Sequence, residues 1–295
     1  MLVQGIFMSR FAIAGLQLEV SGKDNRYLIQ KEVEGIKRRF PWVDMVVVGE
    51  LATYGADTAS ARALPCEADG LYAEVARDND IWLLPGSIFE KHDDKIYNTA
   101  SVFNPQGEAV GRYRKMFPWC PYEKGVTPGE EFLVFDVPEV GRFGVSICYD
   151  QWFPETSRNL AWMGAEVILC PTMTGTIDRD LELTMARANA ITNQCYFFNI
   201  NVAGSLCNGR SIIVGPDGAI IHQAGERAEV MPVEIDLQHV RRTRERGTRG
   251  LCQTLKSFRD SKIDFPVYDL EKRESPALEK LGKLEVPKGW TNDES

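Results

Sequence analysis

An apolar strand that turns into a helix start within a few residues constrains this chain more than any other feature. It is Arg142 to Glu155, R-F-G-V-S-I-C-Y-D-Q-W-F-P-E. Phe143 to Ile147 is a short apolar run of strand type. Pro154 suits a first helical position, where its missing N–H would have had no partner, and Glu155 suits the positive end of the helix dipole. Cys148 stands between the two. The backbone N–H after it and the helix N-terminus nearby both favour a thiolate and can stabilise an oxyanion. Two readings of Cys148 stand side by side. A free cysteine on a buried strand is usually an inert small hydrophobe, and a cysteine at such a turn can be a nucleophile.

Two further strand ends carry chemistry. Met45 to Val48 is a continuous apolar run, the sign of a buried strand, and it ends in Gly49-Glu50. Glu50 is either a loop carboxylate in water or a general base at a strand end, where α/β sheets place their chemistry. The strand Ala109 to Arg114 leads into Lys115. Glu, Lys and Cys at three strand ends can meet on one edge of a sheet and would suit hydrolysis of a C–N bond. Glu50 would take the thiol proton and return it to the leaving amine. Lys115 and the Tyr149 backbone N–H would stabilise the oxyanion. The three histidines, His92, His222 and His239, lie in polar or charged surroundings, so a Cys–His pair has weak candidates.

In chain order the patterns predict a strand at Phe11–Leu18 and a helix capped by Asp24 that runs to about Phe40. A second helix is expected over Cys66–Asn79 and a strand over Ile81–Phe89, broken at Pro85-Gly86. Strands are expected at Ile96–Phe103, Ala109–Arg114, Phe132–Val137 and Phe143–Ile147. A helix from Pro154 to about Met163 follows, then a strand at Glu166–Cys170 and a helix at Arg179–Thr192. Strands at Cys195–Val202, Ser211–Val214, Ala219–His222 and Val230–Ile235 precede a last helix capped by Asp236. The two halves share an outline. This predicts two sheets with helices outside, a four-layer α/β sandwich of αββα type, rather than one doubly wound sheet. Residues 1–256 form the expected domain. From Ser257 onward the chain is polar with little periodicity, and 257–295 reads as an arm at a subunit contact or a mobile tail.

The net charge of −8 argues against a nucleic-acid or anionic-membrane partner. The run Arg241-Arg242-Thr243-Arg244-Glu245-Arg246 contains an acid and reads as a salt-bridged face or subunit contact. No apolar run approaches the roughly 20 residues that span a bilayer. Met1 to Phe7 lacks a basic lead-in and a cleavage site, so no secretory signal is expected. Seven widely spaced cysteines without a C-x-x-C pair suggest neither a disulfide framework nor a zinc site, and a reducing cytoplasm is the expected compartment. No phosphate-binding glycine loop or metal-spaced cluster is visible, so no cofactor is expected.

Three motifs together resemble the nitrilase superfamily of carbon–nitrogen hydrolases: V-V-V-G-E at Glu50, G-R-Y-R-K at Lys115, and G-V-S-I-C-Y-D-Q-W-F-P-E at Cys148. Their order and spacing also match, and the likeness covers about residues 11 to 240. The resemblance implies an αββα sandwich, a homodimer or higher homo-oligomer, a small amide substrate, and a triad at Glu50, Lys115 and Cys148. It further places a second glutamate, Glu123 in P-Y-E-K-G, beside the substrate or the lysine. Nitrile hydrolysers of the family typically carry Cys-Trp-Glu, whereas Cys148-Tyr149-Asp150 is closer to its amidase and carbamoyl-amine branches. Gln151 and Trp152 stand where carbamoyl amino acid hydrolases carry arginines. Tyr54, Trp119, Tyr122, Tyr149, Trp152 and Thr172 are the candidate pocket residues, and the aromatics among them serve equally well as packing.

Overall fold

In the computed structural model, residues 9–271 and 274–286 are described. The expectation for Met1 to Phe7 and the last part of the C-terminal arm lie outside them. In chain order the strands and helices are β1 (Arg10–Gln17), α1 (Arg26–Arg39), β2 (Met45–Val48), α2 (Glu67–Asp78), β3 (Trp82–Leu84), β4 (Ile88–His92), β5 (Lys95–Phe103), β6 (Ala109–Arg114), β7 (Leu133–Val137) and β8 (Gly141–Val145). The second half adds α3 (Pro154–Trp162), β9 (Val167–Thr172), α4 (Arg179–Asn193), β10 (Tyr196–Asn201), β11 (Ile212–Val214), β12 (Ile220–Gln223), β13 (Glu229–Asp236), α5 (Leu237–Arg246), α6 (Thr254–Asp260) and α7 (Pro276–Glu279).

The strands form a seven-stranded sheet, ordered β13-β1-β2-β3-β5-β4 with β6 also on β5, and a six-stranded sheet, ordered β12-β11-β10-β9-β8-β7. Their inner faces meet in one core. Phe11, Ile13, Met45 and Val47 of the first sheet pack there with Phe143, Val145, Leu169 and Phe198 of the second. Ile29, Val33 and Ile36 of α1 and Tyr72 and Val75 of α2 cover the outer face of the first sheet. Leu160 of α3 and Leu183, Ala186 and Ala190 of α4 cover the second. Both sheets are therefore buried on two faces, which is why β2 and β9 are apolar almost throughout. This is the αββα sandwich.

Three features depart from the sequence reading. β13 leaves the second half and pairs antiparallel with β1, from Arg10↔Asp236 to Gln17↔Glu229. The expected likeness of the halves thus ends with a strand that ties the C-terminal part to the first sheet. Asn25, not Asp24, stands at the N-cap of α1 and makes no side-chain cap bond, while Asp24 Oδ1, one residue earlier, accepts from the Arg26 N–H at 3.0 Å and the same carboxylate binds the Arg26 guanidinium. The chain after Ser257 begins inside α6, and Phe258 packs edge-on against Trp162 of the same chain. Asp236 does cap α5, accepting from the Gln238 N–H at 2.9 Å. The α5 arginines bind the chain itself: Arg241 pairs with Glu166 at 2.8 Å, and Arg244 donates to the Ala165 carbonyl at 2.6 Å. Among the described residues no helix is long and apolar enough to cross a membrane.

Candidate active site

Glu50 follows β2 directly, and close backbone packing fixes its position. Its N–H donates to the Thr172 carbonyl at 3.1 Å, which joins the end of β2 to the end of β9 in the other sheet. Gly49 permits this approach, since a Cβ there would lie 2.7 Å from Val202 Cγ2. Gly86 has φ +83°, and a Cβ would come within 1.9 Å of the Gly49 carbonyl oxygen. The Pro85-Gly86 break between β3 and β4 is therefore what lets the Glu50 segment pass.

Lys115 leaves the end of β6, its N–H bonded to the Asn98 carbonyl at 2.8 Å. Its Nζ donates to Glu50 Oε1 at 2.9 Å and to Glu123 Oε2 at 2.8 Å. Glu123 comes from the Pro- and aromatic-rich loop after β6 and also accepts from the Trp119 N–H. Asn98 of β5 completes the cluster, its Nδ2 donating to Glu50 Oε1 at 2.7 Å and to Glu123 Oε1 at 3.4 Å. Lys115 and Glu50 are each only 2% exposed. Burial opposes charge on both, but the carboxylates and the thiolate site around Lys115 hold its pKa well above the ordinary lysine value. Glu50 is pushed up by burial and by Glu123, against the pull of Lys115 and of hydrogen bonds from Lys115 and the Cys148 thiol.

Cys148 opens a single 3-10 turn, Cys148–Trp152, that separates β8 from α3. Its φ is +46°, in the left-handed region that L side chains other than Asn and Asp rarely adopt. Asp150 holds this turn. It is fully buried and accepts from the Ile147 N–H at 2.8 Å, the Tyr113 hydroxyl at 2.7 Å and the Phe117 N–H at 2.9 Å. Tyr113 lies on β6 and Phe117 just beyond Lys115, so one carboxylate ties the cysteine turn to the lysine strand. Burial raises the Asp150 pKa to about 6. The turn was expected to favour a thiolate, with Glu50 taking the thiol proton, and the surroundings of the sulfur oppose the first of these. Burial, and then the Glu50 carboxylate, push the Cys148 thiol well above its ordinary value, and Lys115 only partly offsets them.

These groups share one cavity of ≈ 460 Å³, lined by Glu50, Lys115, Glu123, Cys148, Trp119 and Tyr149 and also by residues 173–176, Asp178, Glu182 and residues 204–208; the Thr174 hydroxyl lies 3.8 Å from the Cys148 sulfur. The sequence-derived residues thus converge for Glu50, Lys115, Cys148, Glu123, Trp119 and Tyr149. Four candidates lie elsewhere. Tyr54 sits in a separate hollow, between the Arg26 and Arg62 guanidinium groups. Tyr122 packs its ring on Trp119 at 4.4 Å and is 36% exposed. Trp152, at the end of the 3-10 turn, packs against the Tyr149 ring at 6.0 Å. Thr172 is sealed behind the wall, its hydroxyl bonded to Asn199 and to the Cys170 carbonyl. Aromatic content marked these positions, but the direction of each side chain follows from its turn, which composition does not reveal. Sequence reasoning missed Asn98, whose only signal was an amide within β5, and Asp150, a carboxyl group two residues past the cysteine. Among the described residues no His, Cys, Asp and Glu side chains group as a metal-binding set.

The family model described as carbon-nitrogen hydrolase matches residues 11–245. The chain belongs to the carbon–nitrogen hydrolase family. An omega-amidase of Xenopus laevis is 33% identical over 203 residues, covering 63% of this chain and 72% of that protein. A formamidase of Bacillus cereus is 31% identical over 212 residues, covering 67% of this chain and 64% of that protein. Among solved structures, Nit3 of Saccharomyces cerevisiae, a member of branch 10 of the nitrilase superfamily, superposes with a TM-score of 0.76 at 28% identity. That match covers 82% of this hydrolase and 96% of Nit3. The matched span contains all three motif segments and every residue of the buried cluster.

Proposed function

We propose that this hydrolase cleaves the C–N bond of a small linear amide or N-carbamoyl amine through a thioester on Cys148, releasing ammonia. Support comes above all from the buried contact of Lys115 Nζ with Glu50 Oε1 at 2.9 Å on the cavity that Cys148 also lines. In this reading Glu50 takes the Sγ proton as sulfur attacks the carbonyl carbon. Lys115 Nζ and the Tyr149 N–H stabilise the charge that develops on the carbonyl oxygen. The C–N bond then breaks, and the proton held by Glu50 passes to the nitrogen, which leaves as ammonia. A water gives its proton to Glu50 while its oxygen attacks the thioester carbon. The C–S bond breaks, the acid departs and the proton returns to sulfur. From an N-carbamoyl amine the acid formed is a carbamic acid, which decays to amine and CO₂.

Lys115 remains protonated throughout because two carboxylates surround it, so it serves as a fixed positive charge. Amide hydrolysis is favoured over nitrile hydrolysis by the amidase and formamidase names of the relatives. A silent binding module is disfavoured because a buried base, cation and thiol are costly to retain without turnover. The deciding measurement is ammonia release from short amides, an N-carbamoyl diamine and a nitrile, by wild type and by Cys148→Ala. Release that vanishes in Cys148→Ala is expected. Full activity in that variant would sink the proposal, and faster turnover of a nitrile than of its matching amide would move the reading to nitrile hydrolysis.

A further inference from the structure

The wall of the same cavity carries an ion pair that the proposed reaction does not use. Glu182, in the first turn of α4, lines the cavity and is almost entirely buried. Its Oε2 accepts from Arg179 Nη1 at 2.8 Å. Arg179 lies behind the wall, where Nη2 donates to Asn199 Oδ1 at 2.7 Å and to the Arg210 carbonyl at 2.8 Å. Glu182 Oε1 accepts no hydrogen bond from the described residues, and it is not sealed from the cavity either. Asp178, one turn earlier on the same side, lines the rim. Four carboxylates therefore face this space, and Lys115, already shared by Glu50 and Glu123, is its only cation among the described residues.

Catalysis does not account for Glu182. Its charge reaches the Cys148 thiol and opposes loss of the proton. Nor does its role as counterion to Arg179 require the second oxygen to face the cavity. A buried acceptor left open is costly unless a donor meets it. We propose that this donor is the substrate: Glu182 selects amides or carbamoyl compounds whose far end carries an amine or ammonium, and its field, with that of Asp178, rejects those ending in a carboxylate. The inference rests on the reading of this cavity as an amidohydrolase site and adds its substrate class.

The test uses three amides of equal chain length ending in an amine, a methyl group or a carboxylate. Wild type should show the highest kcat/KM for the amine and the lowest for the carboxylate. In Glu182→Gln the amine-over-methyl ratio should fall about 10- to 100-fold, the worth of one charge-assisted hydrogen bond, chiefly through KM. Gln keeps an acceptor for Arg179, so an unchanged ratio at lower overall activity would mark Glu182 as structural and overturn the inference. If the variant fails to fold, Cys148→Ala supplies the second readout. By calorimetry it should bind an α,ω-diamine more tightly than the matching dicarboxylate, less so at high salt, and the reverse order would overturn the inference. Cys148-dependent hydrolysis without the amine preference would leave the amidohydrolase reading standing alone. Hydrolysis of none of the three amides would count against both.

Discussion

Two regions of this molecule place one cation between two carboxylates, and they behave in opposite ways. In the cavity Lys115 bridges Glu50 and Glu123 at 2.9 and 2.8 Å. In the hollow beside Tyr54, Arg26 bridges Asp24 and Glu67 at 2.8 and 2.7 Å. The distances are alike, but water is not. The Lys115 and Glu50 side chains are 2% and 3% exposed, whereas Arg26 is 17% exposed and its partners Asp24 and Glu67 are 43% and 83% exposed. At the surface the guanidinium wins, and hydrogen bonds from Arg26 pull the Asp24 pKa down. In the interior desolvation wins, and the Glu50 pKa rises despite its ammonium partner. An ion pair at the surface simply holds charge, whereas the buried one keeps a carboxylate ready to accept a proton. Ion-pair geometry alone therefore does not distinguish the two regions, and the solvent around them does.

The strongest way to break the comparison is to remove the buried cation. Lys115→Met leaves two carboxylates facing each other out of water, and stability should fall by about 3–5 kcal/mol in chemical denaturation, with activity lost. Loss of activity without loss of stability would mean the pair is less buried than it stands here. Glu50→Gln keeps an acceptor for Lys115 and Asn98 but removes the base. A drop in kcat of roughly 10²- to 10⁴-fold is expected with the fold retained by circular dichroism.

The pH profile sharpens the same point. The base must be ionised to work, so kcat/KM should rise with pH as Glu50 loses its proton. That limb should lie above the ordinary glutamate value of 4.5 because burial raises the Glu50 pKa. A limb at or below 4.5 would contradict the raised value. Asp150→Asn replaces one acceptor oxygen by an N–H among three donors. It should cost about 1–3 kcal/mol and lower kcat by loosening the Cys148 turn, with the rate of thiol alkylation changed as well. The smallest effect belongs to the surface: Arg26→Ala should shift stability by about 1 kcal/mol or less and leave kcat/KM within about twofold. A large loss of activity there would mean that the Tyr54 hollow takes part in function.

Much of this was legible before any coordinates. Strand runs and their ends follow from short apolar patterns, so β2 and β6, and with them the positions of Glu50 and Lys115, could be read locally. Pro154 and the apolar run before Cys148 likewise announced the turn. The turn's own conformation was not legible. A φ of +46° at a cysteine goes with Asp150 gathering donors from its own turn and from the distant stretch 113–117. The Tyr54 expectation failed for a related reason. Tyr54 is one of several aromatics able to line a pocket or to pack, and its ring lies between the Arg26 and Arg62 guanidinium groups, which other stretches of the chain bring to it.

By itself the sequence determined which residue types stand at the ends of which strands, because strand periodicity and helix caps depend on near neighbours. That was enough to name Glu50, Lys115 and Cys148. Only the tertiary structure decided that β13 returns to β1, that Asn98 joins the buried Glu50–Lys115–Glu123 cluster and Asp150 ties the Cys148 turn to the Lys115 strand, and that Glu182 rather than Tyr54 or Trp152 faces the cavity. Those outcomes depend on pairings between residues far apart in the chain, and on which side of each packed layer excludes water. Neither is encoded in any short window of sequence.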